Sequence, residues 1–217
     1  TVTVTAGETV VVDFRKPEPQ AKKPAAGQSD RRLVGYFPEW GIHQRKYQVK
    51  DIPIDKLTHV NYAFGRIIAG VVLPRNEVDA IGDPPGSGTF GQLHGLKFKH
   101  PQLKTLLSIG GPNLSGPFSD VALTPKSREK FAASCVDMIR RYGFDGIDID
   151  WEYPVTGGKN LTSSRPEDKQ NFPLLLAEIR EQLSLANASR TQYLLTVAIP
   201  GSPDLLPNYE LDKIAPH

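Results

Sequence analysis

Three carboxylates stand two residues apart in the run Phe144-Asp145-Gly146-Ile147-Asp148-Ile149-Asp150-Trp151-Glu152-Tyr153-Pro154. In a β-strand, residues at i, i+2 and i+4 point to one face. Asp148, Asp150 and Glu152 therefore share a face, with neighbours about 6–7 Å apart along the strand. Ile147, Ile149 and Trp151 take the opposite face and pack against whatever covers it. Like charges at this range raise one another's pKa. A raised carboxyl pKa is what a general acid needs near neutral pH. Two other readings of the row stand beside proton transfer. One is a solvated acidic edge strand, against which the strongly apolar interleaved residues argue. The other is a hard-metal site with oxygen ligands, although such sites draw ligands from several elements and Tyr153-Pro154 supply none.

The elements that would hold this strand form a repeating pattern. Short apolar runs at Leu33–Phe37, Thr58–Phe64, Lys104–Ile109, Gly146–Trp151 and Tyr193–Ile199 read as five strands. Between them, residues 125–142 place Phe131, Cys135, Met138 and Tyr142 at helical spacing, opened by Thr124-Pro125 as cap and first-turn proline. Residues 166–186 place Phe172, Leu175, Ile179 and Leu183 on one helical face, and Gln92–Lys99 reads as a shorter helix. Strand–helix alternation implies a parallel sheet covered by helices. An open doubly wound sheet and a (β/α)8 TIM barrel both satisfy that pattern. No Gly-x-Gly-x-x-Gly follows the first strand, which argues against a dinucleotide fold. Glu39, Ser108, Asp150 and Glu152 cluster at the C-terminal ends of strands, where a barrel builds its active site. A barrel has eight strands in about 250 residues. The expectation is thus an α/β (β/α)8 TIM barrel of which this chain carries about the first five strands, the gene continuing beyond His217.

Composition narrows the partners. The 217 residues carry 26 Lys and Arg against 24 Asp and Glu, a formal charge of +2 with the basic residues scattered. That balance gives no electrostatic case for nucleic acid. No apolar run approaches the length of a membrane span. The single cysteine, Cys135, reads as a buried thiol. Residues 1–14 alternate Val and Thr around Ala6-Gly7-Glu8 and read as the remnant hairpin of an upstream β-sandwich-type domain. Residues 15–30, rich in Pro, Ala and charge, read as a linker, and residues 31–217 as the catalytic unit. The chain opens at Thr1 without a leader, as expected of a processed or excised segment. Asn113, Asn160 and Asn187 each begin an Asn-x-Ser/Thr triplet, a weak glycosylation signal.

The eight residues Asp145 to Glu152 resemble the Asp-Gly-x-Asp-x-Asp-x-Glu signature of family 18 glycoside hydrolases, the chitinases and their relatives. Ser108-Ile109-Gly110-Gly111 resembles that family's Ser-x-Gly-Gly, on the preceding strand. Gly35-Tyr36-Phe37, Trp40-Gly41 and Asn61-Tyr62-Ala63-Phe64 resemble the first β-α-β unit of bacterial and fungal chitinases. Pro166-Glu167-Asp168-Lys169-Gln170-Asn171-Phe172 fits the start of the family's fourth helix. The resemblance implies a substrate-assisted retaining mechanism, in which the sugar's own acetamido oxygen attacks the anomeric carbon. It implies Glu152 as the proton donor to the leaving oxygen. Asp150 would orient the acetamido group, and Asp148 would share a proton with Asp150. Tyr36 and Ser108 would bond Asp148. Gly110, Gly111, Pro112 and Asn113 would line the cleft, Phe64 its floor, with Tyr153 beside the sugar and Trp40 stacked on a sugar face. Polar or apolar core filling is the plain alternative for Tyr36, Ser108, Phe64 and Trp40.

The resemblance further implies a secreted monomer acting on chitin or chitooligosaccharides with no cofactor and no metal. The Trp-Glu-Tyr-Pro continuation and the first strand favour chitin over N-glycan cores, the substrate of related endo-β-N-acetylglucosaminidases. A non-catalytic chitin-binding lectin is the other alternative, although such relatives typically lose the acid that Glu152 retains. Two departures stand out. Pro112 occupies a position where the family often has Trp. The family's later Met-x-Tyr-Asp and its final-strand Trp have no counterpart before His217, so these 217 residues alone are expected to be poorly active.

Overall fold

The computed structural model describes residues 10–12, 31–158, 163–186 and 192–217. Among the described residues seven strands form one sheet: β1 (Val10–Val12), β2 (Leu33–Pro38), β3 (His59–Ile68), β4 (Val71–Pro74), β5 (Lys104–Gly110), β6 (Gly146–Asp150) and β7 (Leu194–Val197). The order β1-β2-β3-β5-β6-β7 is parallel throughout, and β4 turns back antiparallel onto β3. Helices α1 (Gly41–Gln44), α2 (Glu77–Ile81), α3 (Thr89–Lys99), α4 (Phe118–Leu123), α5 (Pro125–Tyr142), α6 (Asp168–Leu185) and α7 (Leu211–Ile214) follow or link the strands. A parallel sheet with helices packed along it is the architecture that the five apolar runs required. Apart from Val10–Val12, which pairs with Leu33–Gly35, the expected hairpin over residues 1–14 and the linker over 15–30 lie outside the described residues. The triplets at Asn160 and Asn187 begin outside them as well.

Local chemistry explains the boundaries. Helix α5 spans the expected residues because Thr124 caps it, its Oγ1 accepting the Ser127 N–H at 3.1 Å, with Pro125 at the first position. Gly143, in the left-handed region at φ 71°, ends it. Cys135, Phe131 and Ile139 on its inner face are buried, and burial pushes the Cys135 thiol pKa up.

Several features differ from the sequence expectation, among them the acidic strand, which ends at Asp150 and not Trp151. Strand β3 runs on to Ile68 rather than stopping at Phe64, because Ala69 and Gly70, both at positive φ, turn it into the β3–β4 hairpin. The fifth expected strand is shorter, Leu194–Val197 instead of Tyr193–Ile199. Helix α4 was not anticipated, since six residues are too few to show a helical period.

One core runs between sheet and helices. Trp151 lies at its centre, stacked on Phe118 of α4 at 5.4 Å and meeting Phe172 of α6 edge-on at 5.3 Å. Ile147, Ile149 and Trp151 are all within 2% of full burial, so the apolar side of the β6 region is anchored in this core. That anchoring fixes the opposite side, where the carboxylates stand.

Candidate active site

Strand pairing brings the row together with its partners. Register places Ser108 beside Asp148, Gly110 beside Asp150, and Thr196 beside Asp148 on the other flank. Asp148 is 1% exposed and accepts three hydroxyls: Tyr36 at 2.8 Å and Ser108 at 2.8 Å on Oδ2, and Thr196 at 2.5 Å on Oδ1. These donors occupy acceptor sites that a carboxylate offers and a buried acid would otherwise leave empty. Tyr36 is held in its protonated, donating form, since burial and the neighbouring Asp148 charge raise its pKa.

Asp150 is 9% exposed, and burial, with the charges of Glu152 and Asp148 in support, pushes its pKa up to about 8. The electrostatic prediction made from spacing alone thus falls chiefly on the middle carboxylate, and desolvation contributes more than like charge. Strand β6 ends at Asp150, so Glu152 sits two residues past it in the loop, half-buried, its pKa raised by burial. Tyr153 follows it across a cis peptide, and burial with the charges of Glu152 and Asp150 raises its phenol pKa.

The loops around the row are shaped by close approach. A Cβ on Gly110 would lie 2.2 Å from the Asp150 carbonyl oxygen, and one on Gly111 would lie 2.6 Å from the Phe64 ring. Both glycines hold positive φ, so only glycine suits these positions. Pro112 and Asn113 are exposed on the loop that follows. The β3–β5 ladder carries a bulge: Ala63 pairs with Ser108 and Gly65 with Ile109, leaving Phe64 unmatched. A bulge re-aims a side chain. Here the Phe64 ring lies against Gly111 and stacks with Trp40, centroids 6.1 Å apart.

Trp40 is 36% exposed at the end of β2, with the Arg75 guanidinium 5.5 Å from its ring centre. A cavity of about 550 Å3 opens there, lined by Trp40, Glu39, His43, Arg66, Arg75 and Asp79 among others. Glu39 is not part of the carboxylate row. It is buried, paired with Arg75 at 3.1 Å and bonded by Tyr62 at 3.1 Å. Tyr36, Ser108, Gly110, Gly111, Phe64 and Tyr153 therefore gather about the row, and Trp40 joins them through Phe64.

Sequence reading missed four contributors. Thr196 completes the shell of Asp148. Tyr209 donates to the Trp151 carbonyl at 3.2 Å, close enough to the row for Tyr153, Asp150 and Glu152 to raise its pKa further after burial. Ser115 and Asp168 brace the loop that carries Glu152. Among the described residues no group of three or more His, Cys, Asp or Glu side chains is arranged to hold a metal ion.

Comparison with known proteins supplies the lineage of this arrangement. The family model for glycosyl hydrolases family 18 matches residues 32–217, and the chain belongs to that family. Chitinase A1 of Niallia circulans is 42% identical over 224 residues, an alignment covering 85% of this chain and 32% of that protein. The structure of chitinase ChiA74 from Bacillus thuringiensis superposes with a TM-score of 0.82 at 37% identity, covering 87% of this chain and 38% of that one. An Ostrinia furnacalis Group IV chitinase solved in complex with allosamidin gives a TM-score of 0.76 at 32% identity, covering 86% of this chain and 48% of that one. The chain thus spans from 32% to 48% of the length of these relatives.

Proposed function

We propose that the protein carrying this chain is a chitinase: a secreted glycoside hydrolase that cleaves β-1,4-linked N-acetylglucosamine polymers with retention, assisted by the substrate's acetamido group. The single observation that carries this reading is the row itself. Asp148 accepts three hydroxyl donors, which leaves one of a carboxylate's roughly four acceptor sites open, Asp150 is pushed up to about 8, and Glu152 stands at the loop-facing end. The parallel order of β2, β3, β5, β6 and β7 supports reading the sheet as part of a (β/α)8 barrel, whose active site lies at the C-terminal strand ends.

In this mechanism Glu152 protonates the glycosidic oxygen as the bond to the anomeric carbon breaks. Burial keeps its proton to a higher pH than an exposed glutamate would. The acetamido oxygen attacks the anomeric carbon from the opposite face, giving an oxazolinium ion. Asp150, protonated at neutral pH, keeps an acceptor oxygen for the acetamido N–H and so holds the group in line. Sharing that proton with Asp148 leaves one negative charge on the pair, which faces the cation as it forms. Water then opens the ring, with Glu152 accepting a proton. Gly110 and Gly111, rather than clearing space for a sugar, let the turn pack against the Asp150 carbonyl and the Phe64 ring. Trp40, beside the cavity of about 550 Å3, offers an apolar face for stacking on a more distant sugar.

Replacing Glu152 with Gln in the full-length protein tests the assignment. Hydrolysis of N-acetylglucosamine oligomers should fall about 100- to 10,000-fold, with oligomer binding retained. Undiminished turnover would remove Glu152 from the acid role. Tight binding without turnover by the unsubstituted protein would instead favour a lectin.

A further inference from the structure

Sheet pairing stops short of the acid. The last rungs on β6 are Ile149 with Val197 and Asp150 with Gly110, so the ladder ends before Glu152. Something else must fix the backbone from which the Glu152 side chain projects. Ser115, on the loop after β5 and 1% exposed, makes that connection. Its Oγ accepts the Glu152 N–H at 2.9 Å and lies 3.0 Å from the Asp150 carbonyl and 2.9 Å from the Gly111 carbonyl. One hydroxyl hydrogen serves one of those two carbonyls at a time, while a lone pair takes the amide. The Asp150 carbonyl also accepts the Gly111 N–H at 2.8 Å. The hydroxyl thus ties the residues on either side of Trp151 to each other and to the glycine turn at Gly111.

We propose that Ser115 is a positioning residue for the acid: it sets the backbone of Glu152, and through it the direction of the carboxyl group, without touching substrate. The inference rests on the assignment of Glu152 as proton donor. Proton transfer is sensitive to such support, since a displacement of about 1 Å can cost about 100-fold in rate. Packing alone does not account for Ser115. Its three polar contacts fall on the backbone of Asp150 and of Glu152, on either side of Trp151, and on Gly111.

The test separates loss of proton donation from general damage by varying the leaving group. A sugar leaving group departs as an alcohol and needs the proton. A 2,4-dinitrophenolate departs without it. In the full-length protein, kcat/KM is measured on an N-acetylglucosamine tetramer and on the 2,4-dinitrophenyl glycoside of the dimer. The ratio of the two constants from one preparation cancels the folded fraction. Glu152→Gln should shift this ratio about 100-fold or more toward the aryl glycoside. Ser115→Ala should shift it about tenfold in the same direction, and Ser115→Cys, which preserves volume and a weak acceptor, by less. Equal losses on both substrates in Ser115→Ala would overturn the proposal. If that variant yields no folded protein, an unshifted ratio in Ser115→Cys would do so. An unshifted ratio in Glu152→Gln would instead overturn the acid assignment on which the proposal stands.

Discussion

Asp150 bears the electrostatic cost of the row. An ordinary aspartate has its pKa at 3.8, and burial with two flanking carboxylates moves this one to about 8. Between those values the folded state holds a proton that the unfolded state has released, so stability falls as pH rises from about 4 to about 8. Asp150→Asn removes that titration. Thermal unfolding of the variant should begin at a higher temperature than wild type at pH 8, and the two should converge near pH 4, while activity is lost. A wild-type advantage at pH 8 would show that Asp150 is not destabilised by its surroundings. Exchange of stability for a poised proton is a common property of active sites. At this scale the sequence was most informative for the row itself, because strand spacing alone places alternate residues on one face. The bonding of Ser108 and Tyr36 to Asp148 came from the family resemblance, and core filling stood as the plain alternative. Thr196 is a lone hydroxyl inside the apolar run Leu194 to Val197, yet its role depends on β7 pairing with β6, which spacing within one strand does not reveal.

At the scale of elements, the loop after β6 is held by a side chain whose function the sequence concealed. Asp168 opens α6 and is fully buried. It accepts Ser119 Oγ at 2.7 Å, the Arg165 N–H at 2.8 Å and the Val155 N–H at 3.4 Å. Arg165 in turn reaches Ser119 and Asp120 at 2.7 Å each, joining α4 to the start of α6. Asp168→Ala would leave the buried Ser119 hydroxyl and two part-buried N–H groups without this acceptor, at a cost of about 1–3 kcal/mol. Urea unfolding should show the midpoint lowered without a change in slope. An unchanged midpoint would mean that water or neighbouring groups replace the carboxylate. The run Pro166 to Phe172 was recognisable as a helix start, but nothing in it announces that its aspartate reaches back across 13 residues to Val155. The hairpin of β3 and β4 was legible in principle, since Ala69-Gly70 sits between the β-branched pairs Ile67-Ile68 and Val71-Val72. The bulge at Phe64 was not, because a bulge is a property of two strands and their register.

For the whole molecule, strand–helix alternation and the buried faces of β5, β6, α5 and α6 made the parallel sheet readable from sequence. Long-range closure is a different matter. It depends on how a sheet curves and on which strands meet, and period within single elements carries no information about either. The chemistry concentrates instead where β2, β3, β5, β6 and β7 end together, and the proposed activity is that of the full-length protein. Its central claim is that the substrate's acetamido group is itself a reactant, held by Asp150 while Glu152 delivers the proton. Initial rates of the full-length protein on an N-acetylglucosamine oligomer and on its fully de-N-acetylated counterpart test this most directly. Cleavage of the first with no measurable cleavage of the second is the predicted result. Comparable rates on both would contradict the account.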